Sequence, residues 1–402
     1  MGRVTLQTIA DHLGVSRMTV SNAFSRPDQL SARLRGRVLA VADELGYVGP
    51  DPTTRALASG TAGTVGVLLS ETLTYALTDE VAMAFLAGIT AELAPTGLAL
   101  TLLSAAPQGR VVPARDVAVD GAIVYSCNPN SSAAGWLLRR RLPLVFVDQA
   151  PAPGIASVNI DDRLGARAAA QHIIDLGHRR VAIVTAGFGG QFGVLTDPLE
   201  ATTAYTERQR LLGWLDVLSA AGIEPTVVRQ HHANPEDIGC TAAQTVLGHT
   251  DRPTAILCFS DAIARGVIRA IQDGGLHVPD DVSVVGFDDN PIGRRTRPAL
   301  TTVRQDVDAK GRAAAAALTI AIDRAKTRPA SRGRHLVLPT ELVVRDSTTR
   351  AVPDSSVATT RRASARKHLS TQPRPIGFAQ LGPRPDVLRG ASVSASLRRG
   401  FQ

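Results

Sequence analysis

The chain has 402 residues, enough for two or three domains. Hydrophobic residues make up 44% of it and aromatics only 4%, so its cores must be built from Ala, Val, Leu and Ile. The net charge is +8, but residues past 350 carry nine basic side chains against two acids, so the excess lies in the tail and says little about the rest.

The apolar runs fall short of the roughly 20 residues that span a bilayer. The opening stretch, MGRVTLQTIADHLG, has no apolar leader. A soluble, cytoplasmic chain with no membrane partner is expected. Cys127, Cys240 and Cys258 are isolated, without a CxxC pair, which excludes a disulfide framework and a cysteine zinc site.

Residues 1–47 read as three short helices. Leu6, Ile9, Ala10 and Leu13 follow the spacing of one buried helical face, and Gly14 permits a tight turn. Ser16 is a good N-cap for a second helix whose inward face is Val20, Ala23 and Phe24. Pro27 and Asp28 break the pattern. Ser31 can cap a third helix, with Leu34, Val38, Val41, Ala42 and Leu45 inward and Gly46 as its stop. Residues 48–63 form a linker rich in Pro, Gly and Thr, with one short helix expected from Thr53 to Ser59. From 64 to about 346, apolar runs such as TVGVLL, LALTLL, GAIVYS, LPLVFV, RVAIVT, TAILCF and DVSVVGF alternate with amphipathic stretches. That alternation implies parallel sheets covered by helices on both faces. The length suits two such sheets and a cleft between them. Residues 351–402, dominated by Ser, Thr, Arg, Pro and Ala, are expected to be disordered.

On the second helix, Arg17, Met18, Ser21 and Asn22 lie roughly opposite the inward face. One side clamped and one side polar is what a DNA-reading helix needs. Arg can pair bidentately with guanine and Asn with adenine, and Met18 can touch a thymine methyl. Thr5, Ser16, Thr19, Ser25 and Ser31 are placed to bond phosphates, helped by the dipole of the second helix.

The elements IADHLGVS, TVSNAFS, LSARLRGRVLAVADELGY and RALASG, in that order and spacing, resemble the headpiece of the lac-repressor family. The resemblance implies base reading by Arg17, Met18 and Asn22. It also implies that Leu57, in the hinge, wedges between base pairs in the minor groove. Asn22 stands where other members often carry arginine, and Thr54 where alanine is usual, which leaves the preferred half-site open. SVNIDDRLGARAAAQHIIDLGHRRVAIV, PTAILCFSDAIARGVIRAIQDGGLHVPDDVSVVGFDD and PALTTVRQDV resemble the family's periplasmic-binding-protein-like core. The implied fold is an all-α helix-turn-helix headpiece followed by a two-lobed α/β core with parallel sheets. The implied division is 1–47 headpiece, 48–63 hinge, 64–350 core and 351–402 tail. Within the core, the first lobe takes about 64–160 and 290–330, and the second about 161–289 and 331–350.

The family's effector sits between the lobes, in agreement with the rule that open α/β sheets bind ligands beyond their carboxyl strand ends. The resemblance places Asp148, Arg210, Asp288 and Gln305 at effector-contacting positions, with Ser260 a further candidate. Such groups suit the hydroxyls of a sugar, and a carboxylated or purine-like effector could use the same arginine. Asp261 fits either the cleft or the cap of its own helix. Glu71 and Tyr75 are candidates for the cleft lining. The expected partners are a near-palindromic operator, a small effector (a sugar by preference) and a second copy of the chain in a homodimer.

Enzyme readings fail on the residues. GFGGQFG at 187–193 has Phe192 where a dinucleotide fingerprint needs glycine. There is no GxxxxGK[ST], HExxH or GxSxG. His231 and His232 lack further ligands, and His178 reads as ordering the turn into a strand. No cofactor, metal or catalytic residue is expected. The competing readings are a solute-binding protein and a sugar-modifying enzyme on the same scaffold. The tail reads either as an auxiliary basic arm or as an extension without function.

Overall fold

The computed structural model describes residues 4–49, 51, 56, 60–69, 73–105, 110–126, 131–187, 191–202, 204–230, 234–248, 251–327 and 333–352. The hinge leucine Leu57, Glu71, Cys127, His231, His232 and the tail lie outside them, as does the side chain of Tyr75.

The headpiece is built from α1 (Leu6–Leu13), α2 (Arg17–Ser25) and α3 (Ala32–Glu44). Each starts at a hydroxyl cap. Thr5, Ser16 and Ser31 accept from the backbone N–H three residues on, at 3.3, 3.0 and 3.3 Å. Gly14 ends α1 at φ 65°, the left-handed turn that lets α2 fold back across it. Ile9, Ala10, Val20, Ala23, Val38 and Ala42 form the buried seam. Phe24 is only half-buried and meets Tyr47 edge-on at 5.6 Å.

Two sheets form the core. The first runs β12-β5-β4-β3-β1-β2, from His335–Leu338, Ala156–Ile160, Leu144–Val147, Gly121–Tyr125, Thr64–Leu69 and Ala99–Ser104, and its pairs are parallel. The second runs β13-β11-β10-β9-β6-β8-β7, from Thr340–Val343, Thr301–Gln305, Ser283–Asp288, Ala255–Cys258, Val181–Ala186, Thr226–Gln230 and Gly193–Val194. Its interior pairs are parallel, while its edge strands β13 and β7 are antiparallel. Helices cover both faces: α4 (Glu80–Leu93), α5 (Ser132–Arg139) and α10 (Val307–Thr327) belong to the first lobe, and α6 (Asp162–Asp175), α7 (Tyr205–Ala220), α8 (Pro235–Leu247) and α9 (Asp261–Asp273) to the second. The Asp120 carboxylate accepts from Ala62 N and Gly63 N at 2.6 and 2.8 Å, which fastens the end of the linker to the first lobe. Among the described residues, no helix is long and apolar enough to cross a membrane.

The lobe boundaries differ from those expected. Residues 290–305 do not join the first lobe: Thr301–Gln305 pairs with β10, and Leu300 and Val303 are buried in the second lobe. Nor do residues 333–338 join the second: His335–Leu338 pairs with β5 in the first sheet. The chain therefore crosses between lobes at Asp161, Asp306 and Pro339, and the first and last crossings touch. Asp161 N donates to Leu338 O at 3.0 Å, and Thr340 Oγ1 donates to Asp161 O at 3.1 Å. The physical reason is strand pairing: each strand joins the sheet whose register and apolar face it fits, whatever its place in the chain.

α8 and α9 cross with glycines at the contact. A Cβ on Gly266 would lie 1.9 Å from Glu236 O, and one on Gly239 would lie 2.0 Å from Ile263 O. Backbone cannot yield as a side-chain tip can. Gly266→Ala should therefore cost roughly 1–3 kcal/mol of overpacking, more than the ~1 kcal/mol alanine gains over glycine in a helix. Calorimetry finding the variant as stable as wild type would show that the two helices separate freely.

Candidate ligand cleft and nucleic-acid interface

The five effector candidates, Asp148, Arg210, Ser260, Asp288 and Gln305, line one cleft between the sheets. Asp148 follows β4 and Asp288 ends β10. Both stand at positive φ, 55° and 116°, as does Asp289 at 54°. Non-glycine residues rarely adopt such values, and strain of this kind collects where side chains are aimed at a ligand.

A continuous polar chain crosses the cleft. Lys310 Nζ, at the start of α10, donates to Asp148 Oδ2 at 2.6 Å and to Gln305 Oε1 at 2.9 Å. Gln305 Nε2 donates to Asp288 Oδ1 at 2.7 Å, and Arg210 Nη1 lies 3.5 Å from the same oxygen. Arg210 Nε donates to Asp162 Oδ1 at 2.8 Å, and Nη1 also donates to Phe259 O at 2.5 Å. The Arg210 guanidinium lies 3.6 Å from the Phe287 ring centre, so its face is covered as well as its edge. Asp148 Oδ1 is buried and has no hydrogen-bond partner in the structure.

Burial dominates the electrostatics. It pushes Asp162 and Asp288 up to about 6 although Arg210 pulls both down. It raises Asp79 and Tyr125 on the cleft wall in the same way. Also on the wall, Glu207 accepts from Thr185 Oγ1 at 3.0 Å and pairs with Arg229 at 3.2 Å, yet burial still lifts it to about 7. The folded chain thus holds this proton more tightly than the unfolded one. Its stabilising contribution is complete below the ordinary value of 4.5 and is lost as pH rises through about 7. Glu207→Gln, which cannot ionise, should gain on wild type over that interval by several degrees in Tm. A gap that stays constant from about pH 5 to about pH 8 would rule this out.

Asp261 is not the cap of its helix. Ser260 holds that place, accepting from Ile263 N at 3.2 Å, and it also faces the cleft. Asp261 reaches across instead, accepting from Thr302 Oγ1 at 2.5 Å and Asn290 N at 3.0 Å, and so ties the ends of β10 and β11 together. His178 bonds Thr254 and the Thr349 carbonyl, each at 2.9 Å, and is buried, so its role is to order the start of β6. Gly187 in the glycine-rich run packs against the Arg229 guanidinium: a Cβ there would lie 2.0 Å from Arg229 Nη2, so the arginine would have to move.

Sequence reasoning missed Lys310, Asp162, Asp79, Tyr125 and Glu207. A lone lysine in the alanine-rich run VDAKGRAAAAALTIAI was the one available signal for Lys310. Asp162 is the first residue of α6, two past the end of β5, and reads as a helix-start residue.

On the headpiece, Arg17 and Met18 project into solvent, with Met18 68% exposed. An apolar side chain held out in this way has no role in the headpiece core. Ser21 and Asn22 are half-buried, and Asn22 Nδ2 donates to Gln29 Oε1 at 3.2 Å. Thr5, Ser16 and Ser31 cap their helices and stay exposed, while Thr19 shares a hydrogen bond with Ser16 at 2.9 Å. Ser25 Oγ donates its only hydrogen to Ser21 O at 2.9 Å, so it has none to offer a phosphate without turning.

Two family models match the chain: the lacI family of bacterial regulatory proteins over residues 5–49, and a periplasmic-binding-protein-like domain over 170–348. The HTH-type transcriptional regulator IpsA of Corynebacterium glutamicum is 37% identical over 346 residues, which covers 81% of this chain and 93% of that protein. The lac repressor dimer bound to operator and the anti-inducer ONPF superposes with a TM-score of 0.69 at 26% identity, over 87% of this chain and all of that one (100%). The CelR–cellobiose complex gives 0.61 at 26% identity, over 86% and 100%. The chain is a DNA-binding transcription regulator of the lacI family, and not an enzyme.

Proposed function

We propose that the chain is a cytoplasmic repressor that binds a near-palindromic operator as a homodimer and changes its affinity when a sugar enters the cleft. Arg17, Met18 and Asn22 read bases from the major groove, with Ser21 on the same face; Thr5, Ser16, Thr19 and Ser31 lie toward the phosphates, joined by Ser25 once its hydroxyl turns from Ser21 O. Residues 48–63 act as the hinge, with Leu57 as the minor-groove wedge. Asp148, Arg210, Ser260, Asp288 and Gln305 hold the effector. The observation that carries the sugar reading is the buried, unfilled acceptor Asp148 Oδ1 on a wall of hydrogen-bonding side chains, since a buried acceptor calls for a donor. The cellobiose bound to CelR, a relative of the same fold, supports it. An effector can move DNA affinity only by binding the two lobe arrangements unequally.

The test is DNA binding by the full chain, using the DNA flanking its own gene against random duplex at moderate salt, with and without a panel of sugars. The expected result is strong discrimination between the two DNAs, a sugar that shifts operator affinity at least tenfold, and lower transcription from a reporter carrying that DNA. Equal affinity for both DNAs would overturn the operator reading.

A further inference from the structure

We infer that Lys310 is a specificity-determining residue that excludes amino sugars, in a cleft whose acid-paired cations also leave no place for sugar phosphates or sugar acids, so that the effector is an uncharged polyol. The inference rests on the sugar-effector reading above and deepens it.

Lys310 is the charged residue of an otherwise apolar helix face. Its side chain is 1% exposed, and the next turns of α10 bury Ala314, Ala315 and Leu318 against the first sheet. Its ammonium touches both lobes, Asp148 in the first and Gln305 in the second, and lies 5.7 Å from the Tyr125 ring centre. It therefore lies directly beneath the cleft, bonded to two of the side chains that line it.

Anions are excluded because every cation described at this site is already taken. Lys310 is held by Asp148, Arg210 by Asp162 and Asp288, and Arg229 by Glu207 and the Ala201 carbonyl. Asp79 on the wall adds a further carboxylate. A phosphate or carboxylate would meet an excess of acids and no cation lacking an acidic partner. That closes the route by which a carboxylated effector could use Arg210.

Cations are excluded by Lys310 itself. Among the described residues, Asp148 Oδ1 and Asp162 Oδ2 are the buried carboxylate oxygens without a partner; only Asp148 lines the cleft, and Lys310 Nζ is bonded to its other oxygen. A ligand ammonium at Oδ1 would share that carboxylate with Nζ, and two like charges at such range between buried groups repel strongly. A hydroxyl supplies the missing hydrogen without the charge.

The test is calorimetric titration of the full chain with glucose, galactose, ribose, cellobiose and sorbitol. Matched charged analogues follow: glucosamine, galactosamine, glucose 6-phosphate, galactose 6-phosphate and glucuronate. Binding of a neutral member, with its amino and anionic analogues at least tenfold weaker, is the expected result. Lys310→Met should narrow the gap between amino and neutral sugar at least tenfold, because the ligand ammonium then takes the vacated place. Lys310→Gln, which keeps a donor for Asp148, makes the same comparison if the methionine variant does not fold. A charged analogue bound by wild type as tightly as its neutral parent would overturn the inference and leave the sugar reading standing. So would an unchanged amino-to-neutral ratio in both variants. Operator binding with silence across the whole panel would overturn the sugar reading, and this inference with it.

Discussion

Arg210→Met is expected to cost roughly 3–5 kcal/mol of stability near neutral pH and to abolish the response to effector. The guanidinium is buried between Asp162 and Asp288, both also buried. Its removal leaves two buried carboxylates without their cation, which is far costlier than losing a surface pair. Acid should reverse part of the loss. Burial already holds both carboxyls at about 6 in the presence of Arg210, above their ordinary 3.8, so the folded chain binds these protons more tightly than the unfolded one. Without Arg210 both rise further. The deficit should then be widest at about pH 8 and should narrow toward about pH 5, where the two can stay neutral. Urea unfolding of variant and wild type at both pH values measures it. A deficit under about 1 kcal/mol, or one that widens on acidification, would show that the arginine is not the counter-ion of this site.

Arg17→Ala should weaken operator binding by roughly 30-fold to 10⁴-fold, taking about 1–3 kcal/mol for each bidentate base contact and one contact per half-site of a dimer. The side chain is fully outside the headpiece core, so the fold is untouched and the loss belongs to the contact. The pattern of loss separates two roles. A base-reading arginine relaxes discrimination at one operator position, whereas a phosphate contact weakens all sequences alike and lowers the salt slope. Titrating wild type and variant against operators substituted one base pair at a time distinguishes them, and a uniform loss would move Arg17 to the backbone. Asn22 differs in kind. Its amide is bonded to Gln29 and must exchange that partner for a base, so its net contribution is smaller than its geometry suggests.

Legibility followed the range of the forces involved. The headpiece is held by caps and by i, i+3 and i+4 contacts, which local spacing displays, and the three helices stand where Leu6, Ser16 and Ser31 put them. The seven strands with long β-branched runs were readable for the same reason. β5 was not read as a strand because it alternates in polar residues, burying Ser157 and Asn159 against partners such as His335 and Gln149. β12 and β13 were missed as short, half-buried segments whose placement depends on pairing with residues far away in the chain. That pairing also moved the lobe boundaries, since no local signal records which sheet an edge strand joins. The five cleft candidates came from a resemblance and converge in space. Lys310 did not come with them, because a charged residue in an alanine-rich helix reads as solvent-facing until tertiary structure turns it inward.

The three crossings between lobes also govern how the protein is made. The first sheet begins with β1 at Thr64, but its edge strand β12 and the covering helix α10 come after Val307. A ribosome therefore delivers the apolar face of Val65, Val67, Ile123 and Val145 long before Ala314, Leu318 and Ile322 arrive to cover it. Until then the nascent polypeptide exposes a greasy, half-roofed sheet, the kind of surface that sticks to its neighbours on a polysome and that chaperones seize. Chains terminated near residue 306 would carry that surface permanently.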